Sequence, residues 1–98
     1  MSNYEFLSLK PVVGDKKYEV KLKNKKTGRD KTIKFGAKGM DDFTKTKDEE
    51  QKKRYLARHK KNENWSDPAT AGALSRWILW NKGTIKASLA DYKKKFNL

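Results

Sequence analysis

The sequence predicts an α+β fold, with an N-terminal β-hairpin or three-stranded antiparallel sheet packed on three C-terminal helices. Two observations carry this prediction. Apolar residues recur with a period of two up to about residue 36 and with a helical period beyond about residue 45. A length of 98 residues fits one compact domain. We therefore expect a single domain over residues 1–98, with residues 1–36 as its β part and residues 45–97 as its helical part.

The strands are predicted from alternation and turn signals. In residues 18–22 apolar and charged side chains alternate, as in a strand with one face in solvent. Residues 31–35 form a second short run, and Gly28 between the two runs is suited to the positive φ of a hairpin turn. A lone hairpin is rarely stable, so a third strand is expected at residues 4–9, before Pro11.

Three helices are predicted in the second half of the chain. The first begins at Thr46, because Thr46 and Glu49 match a capping box, and it runs to about residue 61. The second begins with Asp67 as its N-cap and Pro68 at its first helical position. The third begins after Thr84, its expected N-cap.

The second and third helices are expected to supply most of the helical core. In the second helix four residues share one apolar face, namely Ala71, Leu74, Trp77 and Ile78. Leu79 and Trp80 point away from that face, so this helix is apolar on most sides and is expected at the centre of the core. Thr84 is expected to cap the third helix, whose apolar residues recur at spacings of four, three and four. These residues are Ile85, Leu89, Tyr92 and Phe96.

Charge is the strongest functional signal. The chain has 25 Lys and Arg against 12 Asp and Glu, which gives a formal net charge of +13, and its pI is near 10.0. Such a surplus indicates an anionic partner, because binding to phosphates releases condensed counterions and relieves self-repulsion. DNA, RNA, anionic lipid and an acidic protein all carry suitable charge. Since the chain has no Cys, disulfides and Cys-based zinc or redox sites are excluded.

The densest basic segment lies in the first predicted helix. At 100° per residue, Lys47, Arg54, Arg58 and Lys61 fall on one side of this helix, away from Tyr55. That side is suited to tracking phosphates, and the alternative is a solvated face whose cations pair with Glu49 and Glu50. With the hairpin tip and two further residues, the predicted nucleic-acid-binding set is Lys25, Lys26, Arg29, Lys45, Lys47, Arg54, Arg58, Lys60, Lys61, Trp65 and Arg76.

Two tryptophans could stack on unpaired bases. Trp65 lies next to a predicted helix break, and Trp80 lies one turn after Arg76. A place in the core is the stronger expectation for both, because most aromatic side chains of a small domain are needed there. Arg76 and Trp80, at i and i+4, are suited to an intramolecular cation–π pair.

No catalytic, metal-binding or cofactor site is predicted, and the protein is expected not to be an enzyme. His59 is the only histidine, so carboxylates alone would have to complete a metal site. The acidic pair at Asp41 and Asp42, like the acidic run at residues 48–50, could hold Mg²⁺ for a nuclease, but helix caps and i,i+4 pairs account for most of these residues. No apolar run is long enough for a signal peptide or a membrane span.

Residues 34–98 carry a fairly specific series of motifs. They are Lys34-Phe35-Gly36-Ala37, Asp42-Phe43-Thr44-Lys45, Arg54-Tyr55-Leu56-Ala57-Arg58-His59-Lys60-Lys61 with Glu63-Asn64-Trp65, and Ser75-Arg76-Trp77-Ile78-Leu79-Trp80-Asn81-Lys82. This series resembles a family of small, basic, uncharacterised proteins encoded by large DNA viruses of protists and algae. The resemblance implies a viral origin and a role during infection, inside the infected host cell in the virus factory or nucleus, or in the virion. It implies no catalytic residues.

The leading expectation is a small basic viral protein that binds DNA, or RNA, mainly through phosphate contacts. Its role would lie in viral genome packaging or in the regulation of viral gene expression. The alternative is a protein-interaction factor or virion component, such as a homodimer, that recruits an acidic viral or host protein. A metal-dependent nuclease is the third alternative.

Overall fold

The computed structural model describes residues 3–61 and 63–98, and it has the predicted α+β architecture. An antiparallel sheet in the order β1-β2-β3 is followed by the helices. The strands are β1 (Tyr4–Pro11), β2 (Lys16–Asn24) and β3 (Asp30–Ala37). The helical part consists of α1 (Phe43–Thr46), α2 (Glu49–His59), α3 (Ala71–Leu74), a π-helical segment (Ser75–Leu79) and α4 (Ile85–Phe96). No helix of the described residues is long and apolar enough to cross a membrane.

The hairpin between β2 and β3 has the turn that was predicted. The side-chain oxygen of Asn24 accepts hydrogen bonds from the backbone N–H groups of Lys26, at 2.9 Å, and Thr27, at 3.2 Å. Gly28 has a φ of 73°, which confirms its predicted role. The turn is therefore fixed by local side-chain chemistry and by one glycine.

The third strand, β1, is confirmed, and it contains a β-bulge. Phe6 pairs with Leu22 and Ser8 pairs with Lys21, so Leu7 is an extra residue in the ladder. The extra residue shifts the alternation by one. Leu9, opposite Val20, therefore lies on the same face of the sheet as Phe6, which explains why both are partly buried against the core.

The core lies between one face of the sheet and the helices. Val20, Leu22 and Phe35 are fully buried on the sheet side. The helical side contributes its own fully buried residues, Leu74, Ile78 and Tyr92 among them. The Tyr92 hydroxyl donates a hydrogen bond to the carbonyl of Pro68 at 2.8 Å, and burial raises the Tyr92 pKa, so this donor keeps its proton.

The first predicted helix corresponds to α2, which begins later than predicted and is preceded by the short helix α1. Asp42 caps α1, Lys47 adopts a left-handed conformation with a φ of 53°, and Asp48 caps α2 by accepting from the N–H groups of Glu50 and Gln51. The prediction of Thr46 as N-cap was therefore wrong. An aspartate two residues later satisfies the orphan donors of α2, and the left-handed residue separates the two helices.

The start of the second predicted helix was also wrong. Asp67 accepts a hydrogen bond from the N–H of Ala69 at 3.0 Å, within a turn that precedes the helix. Thr70 is the N-cap of α3, and its hydroxyl accepts from the N–H of Ala73 at 3.1 Å. Both residues are good caps, and only tertiary packing decides between them.

The predicted apolar face of this helix changes because its second part is a π-helix. The N–H of Trp80 donates to the carbonyl of Ser75 at 3.0 Å, a wider turn than that of an α-helix. Leu79, which lies at the end of this turn, and Trp80, which follows it, are buried, at 2% and 7% exposure. Ala71, at the start of α3, is exposed, so its predicted place on the apolar face was wrong. The third predicted helix is confirmed as α4, with Thr84 as its cap.

Candidate nucleic-acid interface

The first component of the candidate interface is the exposed side of α2. Its inner side is held by Tyr55, which is buried in the core, and its acidic residues Glu49 and Glu50 lie in the first turn, where the helix dipole favours them. The segment after Gln51 has no acidic residue as far as Lys61. We call its exposed cations the α2 face, and they are Lys53, Arg54, Arg58, Lys60 and Lys61.

The cations of the α2 face are not neutralised by neighbouring carboxylates. Within the described ranges, three ion pairs have a nitrogen and an oxygen within 4 Å, and none of them includes a cation of the α2 face. The i,i+4 pairs predicted for Glu49 and Glu50 are thus not formed in the structure. The positive charge of this helix surface therefore remains available to an external anion.

Two further predicted residues lie near the start of α2. Lys45 is exposed in α1. Lys47 is exposed too, but its ammonium group donates to the carbonyl of Thr44 at 3.0 Å, and its aliphatic part lies near Gly83. Because Lys47 precedes the N-cap of α2, the predicted alignment of Lys47 with Arg54 and Arg58 along one helix was wrong.

The second component of the candidate interface lies at the tip of the hairpin. The N–H of Lys25 donates to the carbonyl of Asn3 at 2.9 Å, which ties the tip to the start of β1. A shallow cavity of about 480 Å³ is lined there by Asn3 and Tyr4 of the sheet and by Lys95 at the end of α4. Four exposed cations form what we call the tip cluster: Lys25, Lys26, Arg29 and Lys95.

The α4 lysines were not among the predicted site residues. Their signal in the sequence is the run of Lys93, Lys94 and Lys95, whose charges also favour the C-terminus of a helix. Their proximity to the hairpin depends on the packing of α4 on β1, where Lys93 lies 4.9 Å from the ring centroid of Phe6. That contact cannot be read from either segment alone.

The α2 face and the tip cluster lie toward opposite ends of the sheet. At the end of the sheet opposite the hairpin tip, a groove is lined by Lys16 and Ala37 of the sheet and by Arg54 and Arg58 of α2. The nine residues of β2 run from that end to the hairpin tip, a distance of roughly 26 Å for a strand that rises 3.3 Å per residue. The structure therefore divides the predicted cations into two separate clusters.

Trp65 and Arg76 are half-buried and are engaged within the chain. The Trp65 indole N–H donates to Glu63 at 2.8 Å. The Arg76 guanidinium lies 4.2 Å from the ring centroid of Trp77 and 5.5 Å from that of Trp65, and it donates to the carbonyl of Trp80 at 2.8 Å. Desolvation lowers the Arg76 pKa from its usual value. Both residues thus hold the chain between α2 and α3 in place.

The predicted cation–π pair between Arg76 and Trp80 is replaced by these contacts. The Trp80 ring instead stacks on Tyr55 inside the core, with ring centroids 4.3 Å apart. A ring with 7% exposure offers no face to an external base. In the residues that the structure describes, no group of three or more His, Asp or Glu side chains is placed to hold a metal ion.

Comparison with known proteins gives one match. The model of a protein family whose function is unknown matches residues 10–59. These residues cover most of the sheet together with α1 and α2, and they include the hairpin-tip cations as well as Arg54 and Arg58. No curated protein and no solved structure matches the chain.

Proposed function

Because the chain belongs to DUF5754, a family of unknown function, we propose a function from the surface itself: the protein binds nucleic acid through phosphate contacts, with DNA as the leading candidate. The observation that carries this proposal is the α2 face. Five exposed cations lie within residues 53–61, along α2 and just after its end, without an ion-pair partner among the described residues. An extended polyanion supplies the many phosphates that such a surface can neutralise.

Because the two clusters are separated, a ligand must be long enough to reach from one to the other in order to contact both. A short anion can occupy either the α2 face or the tip cluster, whereas a chain longer than roughly 26 Å can reach both. Contact with about six phosphates gives a slope of log K against log[salt] of about −5 on duplex DNA. Affinity should therefore depend steeply on salt.

The test is a mobility-shift titration on duplex DNA, single-stranded DNA and RNA at several salt concentrations. The variant Arg54→Glu/Arg58→Glu reverses two charges of the α2 face. The control Lys82→Glu/Lys86→Glu makes the same change in net charge at exposed positions near the start of α4. We expect the first variant to bind at least about tenfold more weakly and with a salt slope smaller by about 2, and the control to bind nearly as the wild type does.

Two results would contradict the proposal. Equal losses in the two variants would mean that net charge, and not the α2 face, governs binding. Absence of binding to all three nucleic acids at low salt would favour the alternative of an acidic protein partner, which a stable stoichiometric complex would identify. A viral setting, with a role in genome packaging or in the regulation of viral gene expression, stays a prediction from the resemblance.

A further inference from the structure

Three aromatic rings form a continuous stack that reaches the surface beside the α2 face. The Tyr55 ring lies 4.2 Å from that of His59 and 4.3 Å from that of Trp80, with interplanar angles of 26° and 8°. Two nearly parallel rings at such distances must lie on opposite faces of Tyr55. The stack therefore runs from the buried Trp80 through Tyr55 to His59, whose side chain is 40% exposed.

Helix geometry places this stack next to a pair of arginines. Tyr55 and His59 are four residues apart and form one row along α2, and Arg54 and Arg58 form a parallel row one residue earlier. Both arginines are exposed, and within the described residues neither forms a side-chain hydrogen bond or an ion pair. An exposed ring and two available guanidinium groups thus occupy adjacent strips of the same helix.

Both rows line a groove of about 680 Å³ between α2, the end of β3 and α3. Of the three carboxylates that line the groove, Asp41 is exposed and forms no ion pair among the described residues, and the other two are engaged within the protein. Asp42 is paired with Lys17, and Glu63 accepts from the Trp65 indole at 2.8 Å and contacts His59 Nδ1 at 3.3 Å. The charge at the groove that is free to meet a ligand is therefore mainly positive.

We propose that this groove binds an unpaired nucleobase, which stacks on the outer face of His59 while the adjacent phosphates of the same strand contact Arg54 and Arg58. The inference rests on the proposed function and narrows it to single-stranded segments. Every base has a π-face that can extend a ring stack, and guanidinium groups bind phosphate oxygens well. The resulting recognition tolerates different base sequences.

The Tyr55 hydroxyl adds a donor to this groove. Burial raises the pKa of Tyr55 to about 12, and the nearby Glu63 carboxylate contributes to the rise. The hydroxyl is therefore protonated at neutral pH. Within the described residues it has no hydrogen-bond partner, so it is available to donate to a sugar or phosphate oxygen of the bound strand.

The experiment compares two fluorescent probes of equal length and charge, an oligothymidylate strand and an abasic deoxyribose-phosphate strand. Phosphate contacts are the same in both, whereas only the first offers bases for stacking. We expect the full-length protein to bind oligothymidylate at least about fivefold more tightly, the effect of stacking one base. Two variants identify the ring responsible: His59→Ala should lose this preference, and His59→Phe should keep it because a ring remains.

The outcomes separate this inference from the proposed function. Equal affinity of the wild type for both strands, with the salt dependence retained, overturns base stacking and leaves phosphate binding intact. An unchanged preference for oligothymidylate in His59→Ala overturns the assignment to His59. Absence of binding to either strand, and to duplex DNA, at low salt overturns the inference together with the function on which it rests.

Discussion

Gly36 shows how a single position sets the approach of the helices to the sheet. Its φ is +77°, a conformation that side chains rarely adopt. A Cβ atom at this position would lie 2.7 Å from Cδ1 of Leu79 and 3.3 Å from atoms of Lys17. The absence of a side chain therefore lets the end of β3 lie directly against the π-helical segment.

The chain offers a matched control for this close approach. Gly28 has a similar φ of +73°, but a Cβ there would have no atom within 4 Å. We expect Gly28→Ala to lower the free energy of unfolding by about 1–2 kcal/mol, the cost of the left-handed conformation. Gly36→Ala should cost about 1–3 kcal/mol more, because it adds overpacking.

Urea unfolding of the two glycine variants measures this difference directly. The comparison cancels the conformational penalty that both positions share. Equal losses of stability would show that Leu79 moves away at little cost and that the approach of β3 to the π-helical segment is not tight.

The helices α1 and α2 are each capped by an aspartate, and the two aspartates differ in burial. Asp42 caps α1, accepts from the N–H of Thr44 at 2.9 Å and pairs with Lys17 of β2, and only 3% of its side chain is exposed. Asp48 caps α2 in the same manner but is exposed. One cap therefore joins a helix to the sheet, and the other stabilises its own helix only.

Replacing each aspartate by alanine separates these two roles. Asp48→Ala should lower the free energy of unfolding by about 1 kcal/mol, as the loss of an exposed N-cap does. Asp42→Ala should cost about 3–5 kcal/mol, because it also leaves the largely buried Lys17 ammonium without a carboxylate and with only the carbonyl of Met40 to accept from it. Chemical denaturation of both variants gives the two values, and a loss at Asp42 no larger than that at Asp48 would contradict the structural role of the pair.

Elements with strong local signals were predictable from the sequence. Alternation located β2, the turn residues located the hairpin, and Thr84 located the start of α4. The π-helical segment was not predictable, because its wider turn is selected by packing that buries Leu79 and Trp80 in the core. Asp67 and Thr70 are equally good N-cap residues, so packing against other parts of the chain determines where α3 starts.

The candidate site was predictable to a similar extent. Helical periodicity identified Arg54 and Arg58 as exposed neighbours on one helix, which the structure confirms. The contact of the Arg76 guanidinium with the Trp65 ring joins two separate segments, and no local pattern in the sequence indicated it. The same is true of the separation between the hairpin tip and α2.

At the scale of the whole molecule, the family match and the folding unit do not coincide. The match ends at residue 59, but the core on which β2 and β3 pack includes Leu74, Ile78, Leu79 and Tyr92. Without these residues the inner face of the sheet would be exposed to water. The two halves of the chain must therefore fold together.

A fragment of residues 10–59 should consequently be largely unfolded. Far-ultraviolet circular dichroism should show little regular structure in the fragment, and heating should give no cooperative transition, whereas the full chain should melt cooperatively. A sigmoidal melting curve for the fragment would contradict this expectation, since it would show that the matched segment forms a core of its own.

The bulge at Leu7 affects how readily strands of other molecules can add to the β1 edge of the sheet. β1 is an edge strand, and an unbroken edge with regularly spaced N–H and C=O groups invites strands of other molecules to add to it. The bulge interrupts that regular spacing, and Pro11 removes one donor near the strand end. The β1 edge is therefore a poor template for amyloid-like growth.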